Sequence, residues 1–458
     1  MALLSPDEVR RREPAAPPAD GRTPLERARE RMRAAGQWHP GQTIGRRYPI
    51  GCVALEITQR CNLDCTACYL SDSAEALADL PLEEVFRRID LIHAHYGPGT
   101  DVQVTGGDPT LRRPDELVAI VRRLAARGLR PALFTNGIRA TRGLLAELAA
   151  AGLSDVAFHV DLTQQRRGYD TEAALNALRR EYLERARGLP LAVFFNTTVF
   201  DGNVHEVPAL AHFFVRHCDV VRLASFQLQA ATGRGTLGRR TGALVAPDPV
   251  AALIEEGAGA PLGFGNLTAG HPACNRYAFA LVVNGRVLDP FTDPAFAAAT
   301  LEATRDLALD RTDRRRALAA IGRWFLRHPR ALARALPRAA GLAWRLRREL
   351  AAARGRVGKI SFFIHNFMDA CALERDRIDA CAFMVATRDG PLSMCLHNAR
   401  RDEHLLRPIE VKRGEKVRFW NPATGAFTDS PPARVAVEPT RKTARGRTRA
   451  ARAAGEAR

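Results

Sequence analysis

Cys61, Cys65 and Cys68 lie in the run Glu56-Ile-Thr-Gln-Arg-Cys-Asn-Leu-Asp-Cys-Thr-Ala-Cys-Tyr69, directly after a strand-like segment. Three thiolates at this spacing on a short loop can hold three irons of a cubic [4Fe–4S] cluster. An ordinary cluster takes four cysteines, so the fourth iron would stay open to a ligand that is not protein. Zinc is a competing reading, but it wants four N or S donors, and no nearby Cys or His completes a set. Unrelated buried thiols are a third. Downstream, Asp101-Val-Gln-Val-Thr105 reads as a buried strand and runs straight into Gly106-Gly-Asp-Pro109. Glycines let a backbone come close to a ligand, and Asp108 can accept hydrogen bonds from an ammonium group.

Together the two motifs resemble those of the radical S-adenosylmethionine (SAM) family. The resemblance implies a [4Fe–4S] cluster on Cys61, Cys65 and Cys68, with SAM's amino and carboxylate groups on the open iron. It also implies that an electron from the cluster cleaves SAM to a 5′-deoxyadenosyl radical. In that family a Gly-Gly-Glu-Pro run holds SAM's amino group; here Asp108 replaces Glu, a shorter arm of the same charge. Gly106, Gly107 and Asp108 are therefore expected to bind SAM, as are Asn136 in Phe134-Thr-Asn-Gly137 and Tyr69 beside the adenine. No catalytic residue is assigned. His159, Asp161, Asn196 and Thr198, late in their strands, are further candidates to touch SAM or substrate.

These residues need elements to position them. β-branched or aromatic runs at 52–57, 101–105, 130–135, 155–160, 191–199 and 219–226 alternate with helical patterns at 82–95, 114–127, 141–151, 171–187 and 205–217. Pro81 and Pro114 suit first turns, and Gly128 and Gly152 suit helix ends. Such alternation predicts an α/β fold with a parallel sheet and crossover helices. Six units are too few for an eight-fold barrel, and they fit the partial (β/α)6 barrel that the resemblance implies. Ligands of such folds bind at the carboxyl ends of the strands, where both motifs fall.

The expected organisation is a basic polar arm at 1–47 with a short helix around 24–35, and the barrel at 48–232. A Cys-rich C-terminal module at 233–303 and 357–412 is split by an Arg-rich helical insertion at 304–356, and a basic disordered tail fills 413–458. The N-terminus lacks a basic region before an apolar stretch, so a reducing cytoplasm is expected, where clustered cysteines favour metal over disulfides. No apolar run approaches the roughly 18 residues of a membrane span.

Net charge is +18, and only Lys359, Lys412, Lys416 and Lys442 are lysines, so much arginine simply stands in for lysine on solvated faces. The excess is nevertheless uneven. Residues 305–356 carry fifteen arginines against four acids, interleaved with Trp324, Phe325, Leu336 and Trp344 and broken by Pro329 and Pro337. A basic amphipathic helix of this kind fits peripheral contact with an anionic membrane, or else a packed insertion with a solvated basic face. Nucleic acid is not favoured, since no aromatic-interleaved RNA motif accompanies the basic tail.

Outside the barrel, Cys274, Cys371, Cys381 and Cys395 suggest a second iron–sulfur cluster, with zinc or scattered core thiols as alternatives. Cys52 and Cys218 read as buried thiols. The segments His271-Pro-Ala-Cys274, Ile364-His-Asn-Phe-Met-Asp369, Arg377-Ile-Asp-Ala-Cys381 and Ser393-Met-Cys-Leu-His-Asn398 resemble the C-terminal module of the tetraether lipid synthase group of radical SAM proteins. That group also goes by the name dihydropterin dimethyltransferase-like. The likeness covers residues 45–303 and 357–410. It implies an auxiliary [4Fe–4S] cluster on Cys274, Cys381 and Cys395, with Cys371 the fourth candidate. It further implies C–C bond formation or alkylation on an apolar, lipid-like substrate, with reduced flavodoxin or ferredoxin as electron donor. The rivals are a radical SAM peptide maturase and a non-enzymatic iron–sulfur electron carrier.

Overall fold

In the computed structural model, residues 2–15, 20–22, 51–234, 245–267, 269–304, 307–311, 313–413 and 416–432 are described, with isolated positions at 26, 30, 435 and 437. The helix expected at 24–35 lies outside them but for positions 26 and 30. A short helix, α1 (Pro6–Arg11), precedes strand β1 (Cys52–Thr58), which is buried along its whole length. A largely apolar run, broken by Glu56, suits a strand covered on both faces. Then follow α2 (Leu82–Tyr96), β2 (Asp101–Gly106), α3 (Pro114–Ala126), β3 (Arg130–Thr135), α4 (Arg142–Ala150) and β4 (Asp155–His159). The alternation ends with α5 (Glu172–Ala186), β5 (Ala192–Val199), α6 (Val207–Arg216) and β6 (Val221–Leu228).

Helix ends follow the expected chemistry. Pro114 opens α3, the hydroxyls of Thr141 and Thr171 accept backbone N–H bonds at the starts of α4 and α5, and Gly128 and Gly152 take positive φ just after α3 and α4. Each supplies or removes a backbone group where the helix cannot satisfy it. Val53, Leu55 and Ile57 of β1, Val156 and Phe158 of β4 and Val193 and Phe195 of β5 share one core with Val85 and Ile89 of α2 and Leu175 of α5. Strand side chains alternate, so Glu56, His159, Asn196 and Gln227 face the other side of the sheet.

Beyond β6 come α7 (Pro247–Ala258), β7 (Asn275–Val283), β8 (Arg286–Leu288) and α8 (Pro294–Ala303). The insertion forms α9 (Arg314–Arg327), α10 (Pro329–Arg345) and α11 (Arg347–Ala352). β9 (Gly358–Asn366), α12 (Arg375–Asp379), β10 (Phe383–Ala386), β11 (Pro391–Ser393), α13 (Met394–Ala399) and α14 (Arg401–Leu405) follow. The described chain closes on β12 (Ile409–Arg413), β13 (Lys416–Trp420) and β14 (Phe427–Thr428).

The main sheet runs β11-β10-β1-β2-β3-β4-β5-β6-β9-β7-β8. The fold is α/β with a mostly parallel sheet, as the strand–helix alternation predicts. The six expected strands are extended at both ends: β10 pairs parallel with β1, and β9 pairs parallel with β6. Both additions come from the second half of the C-terminal module. β9 and β10 share no backbone pairing, but Phe363 and His365 of β9 meet the Phe383 ring of β10 at 6.0 and 4.4 Å. Aromatic side chains, not a ladder, bridge the open seam.

Three expectations need correcting. Residues 2–15 of the supposedly loose arm are docked: Leu4 donates to Leu373 O (2.8 Å) and packs among Met368, Leu373, Ile378 and Cys395, while Glu8 pairs with Arg375. Burial of Leu4 and a capped α1 hold it there. The expected disordered tail begins instead with β13 and β14, because Trp420 buries itself with Ile409 and Val411. Pro337 lies inside α10 without ending it; α10 buries no residue, so water can take the carbonyl that proline leaves unbonded.

Candidate functional site: the mouth of the parallel sheet

Gly106 and Gly107 are glycines because the cysteine loop lies on top of them. A Cβ on Gly106 would fall 1.9 Å from Thr58 O, and one on Gly107 would fall 2.0 Å from Arg60 O. Gly107 N donates to Thr58 O (2.9 Å) and Asp108 N to Arg60 O (2.8 Å), so the end of β2 is stitched to the first residues of the loop. Thr66 N, between Cys65 and Cys68, donates to Thr163 O beyond β4 (2.8 Å). The three thiols remain half-exposed.

Asn136, at the end of β3, reaches the same loop. Its Nδ2 donates to Asn62 Oδ1 (2.6 Å) and lies 3.9 Å from Cys61 Sγ. The Asn136–Gly137 turn is held from below: Arg166 donates to Asn136 O (2.6 Å), Arg185 donates to Gly137 O (2.7 Å), and the Tyr182 ring would meet any Cβ on Gly137 at 2.2 Å.

Two expected SAM contacts are placed differently. Asp108 is 1% exposed, and its carboxylate accepts from Thr110 N (3.0 Å), Thr110 Oγ1 (2.5 Å), Thr135 Oγ1 (2.9 Å) and Asn136 N (2.9 Å). The shorter arm turns inward and ties the ends of β2 and β3, leaving its oxygens committed to protein. Tyr69 donates to Gly106 O (2.5 Å), and the Arg401 guanidinium lies 4.6 Å from its ring centre. It is a prop beneath the glycines, and burial pushes its phenol up in pKa.

Arg401 donates to both oxygens of Glu56 (2.9 and 2.8 Å). Burial opposes ionisation of Glu56, but Arg401 and His397 outweigh it and hold the carboxyl at about 2. At the end of β4, His159 Nε2 lies 2.6 Å from Asp161 Oδ2, which also accepts from Thr198 N (2.7 Å). Burial opposes protonation of His159, yet Asp161 raises its pKa. His159, Asp161 and Thr198 thus form one hydrogen-bonded group on the polar wall of the mouth. The opposite wall, by the seam, is aromatic, with His365 stacked 3.8 Å from Phe367.

The C-terminal thiols gather behind that wall. Cys395 senses both Cys381 and Cys274, and Cys274 senses Cys381. Burial pushes the Cys274 thiol up to about 11 and Cys395 up to about 12. Arg377 Nε donates to Cys274 Sγ (3.3 Å), and Cys381 Sγ donates to Phe383 O (3.0 Å). Cys371 is exposed and does not join these three, because it sits on a turn whose neighbours Met368 and Leu373 fill the buried space. Among the described residues, no three His, Cys, Asp or Glu side chains are arranged as around a bound metal ion.

Residues 55–214 match the model of the Radical SAM superfamily. Residues 55–214 thus form a radical SAM domain. The chain is 28% identical over 187 residues to the 7,8-dihydro-6-hydroxymethylpterin dimethyltransferase of Methanocaldococcus jannaschii, covering 39% of this chain and 36% of that one. It is 36% identical to the GTP 3′,8-cyclase of Streptomyces coelicolor, over 36% of this chain and 49% of that one. A PqqA peptide cyclase of Methylobacterium sp. is 30% identical, over 37% of this chain and 44% of that one. This chain thus spans less than half the length of these relatives. Streptococcus suis SuiB, solved with its precursor peptide SuiA, aligns at 14% identity and a TM-score of 0.32, over 46% of this chain and 45% of that one.

A radical SAM domain implies a [4Fe–4S] cluster with SAM. Three half-exposed thiols on one loop, backed by glycines that admit only backbone, form a donor set that fits such a cluster with three protein ligands. The motifs point to the ligands but miss Glu56, Arg166, Arg234 and Arg401, which carry no spacing signal. An acid inside the apolar run of β1 is the one visible hint, since a buried carboxylate needs a partner. No helix among the described residues is long and apolar enough to cross a membrane.

Proposed function

We propose that this chain cleaves SAM reductively and directs the resulting radical at an unactivated carbon of a substrate with an apolar portion. The observation that carries this reading is the cysteine loop stitched onto Gly106 and Gly107 at the carboxyl end of a parallel sheet. Bound there on Cys61, Cys65 and Cys68, a [4Fe–4S] cluster would supply one electron to SAM, giving methionine and a 5′-deoxyadenosyl radical that takes a hydrogen atom. The chain's own part is to hold those thiols, to offer the backbone of residues 106–107 and the Asn136 amide to SAM, and to orient substrate. His159 can hold a proton or donate a hydrogen bond on the polar wall, while Phe363, Phe367 and Phe383 can receive apolar surface on the other.

Cys274, Cys381 and Cys395 are proposed as ligands of an auxiliary [4Fe–4S] cluster behind the aromatic wall. Their mutual proximity supports it, and Arg377 would offset thiolate charge. C–C bond formation or alkylation of a lipid-like substrate, and reduction by flavodoxin or ferredoxin, rest on the sequence resemblance. Peripheral membrane contact is supported by Leu326 (80% exposed) and Trp344 (69% exposed) on the Arg-rich α9 and α10. The insertion is rooted at the far end of the sheet, however: Arg311 pairs with Asp101 (2.9 Å) and Asp155 (3.1 Å), the first residues of β2 and β4. Membrane contact there would anchor the protein without bringing the mouth to the lipid. The polar wall favours a substrate with hydrogen-bonding groups, so a peptide is the second reading.

Anaerobic reduction of reconstituted protein with SAM tests the central claim. The expected products are 5′-deoxyadenosine and methionine, absent when Cys61, Cys65 and Cys68 are replaced by Ala. Equal cleavage by that variant would overturn the proposal.

A further inference from the structure

The two residues Gly233 and Arg234, shortly after the last strand of the sixfold repeat, lie directly on the cysteine loop. Gly233 takes φ +60°, and a Cβ there would fall 2.6 Å from Cys68 O and 2.3 Å from the carbonyl carbon of Tyr69. Only a glycine lets the backbone pass so close in that conformation. Arg234 N then donates to Leu70 O (2.8 Å). The Arg234 side chain is 6% exposed; its Nη2 donates to Glu75 (3.0 Å), and Asp64 stands 3.8 Å from its Nε. Nε is buried and has no hydrogen-bond partner. The guanidinium also hydrogen-bonds the Cys68 side chain. The same segment is tied to the C-terminal module, since Ala231 N donates to Asp369 Oδ1 (2.7 Å) and Ala370 N to Ala231 O (3.0 Å).

We propose that Arg234 is a positioning residue for the cluster on Cys61, Cys65 and Cys68, pinning the Cys68 end of the loop and raising the cluster's reduction potential. The inference rests on the radical SAM reading. Net charge and hydrogen bonds to sulfur set the potential of an iron–sulfur centre. Reduction adds an electron to an assembly that three thiolates already make anionic. A buried cation beside one sulfur makes that step easier, and nearby carboxylates make it harder; at low exposure the interaction is strong and salt screens it weakly. Arg234 balances Glu75 and Asp64, so its removal leaves two acids facing the loop. A guanidinium suits the place because its several N–H groups can serve Glu75 and the Cys68 sulfur at once.

The experiment is an anaerobic potentiometric titration of the electron paramagnetic resonance signal that changes on adding SAM, which isolates the barrel cluster from any other. Wild type, Arg234→Gln, Arg234→Lys and Glu75→Gln are compared, each with its iron content. Arg234→Gln should shift the midpoint negative, Glu75→Gln should shift it positive, and Arg234→Lys should stay near wild type. A purely structural role would lose iron without moving potentials in opposite directions. An unchanged midpoint in Arg234→Gln at full iron content, or an unchanged midpoint in Glu75→Gln, overturns the inference. Should Arg234→Gln fail to fold, the Glu75→Gln and Arg234→Lys potentials decide. Wild-type protein with no SAM-responsive signal would instead overturn the radical SAM reading itself.

Discussion

Cys61, Cys65 and Cys68 sit half-exposed within a single loop, whereas Cys274, Cys381 and Cys395 come from three distant segments, with Cys395 buried and the other two half-exposed. The first set is held by backbone: Gly107, Asp108 and Thr66 bond the loop through main-chain atoms, so its geometry does not wait for a ligand. The second set has one cation, Arg377, and two thiols that burial drives far above the ordinary thiol range. Metal binding there would have to displace protons from those two thiols. The first set lies in one backbone-held loop; the second depends on the meeting of the segments at β7, β10 and α13.

The sharpest way to break this contrast is to count iron. Reconstituted wild type should hold about eight irons if both sites carry cubanes. Replacing Cys61, Cys65 and Cys68 by Ala should leave about four and an unchanged fold, because the loop lies outside the core. Replacing Cys274, Cys381 and Cys395 by Ala should also leave about four. A wild-type count near four, with zinc present, would remove the auxiliary cluster and the comparison with it.

Arginine removal comes next. Arg401→Met strands Glu56, which is fully enclosed, and should lower stability to urea by about 3–5 kcal/mol. Arg377→Met should lose less, about 1–3 kcal/mol, because the Glu374 side chain that it pairs with is 19% exposed and can turn to water. The same Glu56 predicts acid lability of the metal-free protein. Its carboxyl is held at about 2 against an ordinary 4.5. The folded value lies below the unfolded one, so the stabilisation is complete above pH 4.5 and is lost as pH falls towards 2. The full span is about 3 kcal/mol, and chemical unfolding at stepped pH should show it shrink in Glu56→Gln.

A smaller effect is expected of Gly107→Ala. The added methyl collides with Arg60 O, so the loop must shift. The barrel site should lose iron while any module iron stays, with a stability loss of about 1–3 kcal/mol. Smallest is membrane contact. Wild type should sediment with anionic vesicles at low salt, each arginine near the surface contributing roughly 1 kcal/mol. Leu326→Ser with Trp344→Ser should reduce this, and absence of wild-type binding would make the insertion an ordinary packed appendage.

The legible part of this molecule is the part that obeys local rules. Strand–helix alternation, helix ends at Gly128 and Gly152 and the three-cysteine loop all depend on neighbours in sequence. β9 and β10 do not read as members of the barrel sheet because pairing with β6 and β1 spans more than a hundred residues. The inward turn of Asp108 is invisible for a related reason: the hydroxyls that claim it belong to Thr110 and to Thr135 on the next strand. Arg234 is hidden by its setting among many arginines, where only three-dimensional burial separates it from the solvated rest.

The extension of the sheet at both ends has a consequence for how the chain is made. While the ribosome has released only the first three hundred or so residues, β1 and β6 each present an unpaired edge. The segments that cover them, 358–366 and 383–386, emerge much later. Exposed edges of long apolar strands recruit other chains. A nascent or truncated product ending before Gly358 should therefore be a client for chaperones and prone to aggregate, even though Cys61, Cys65 and Cys68 are already in place.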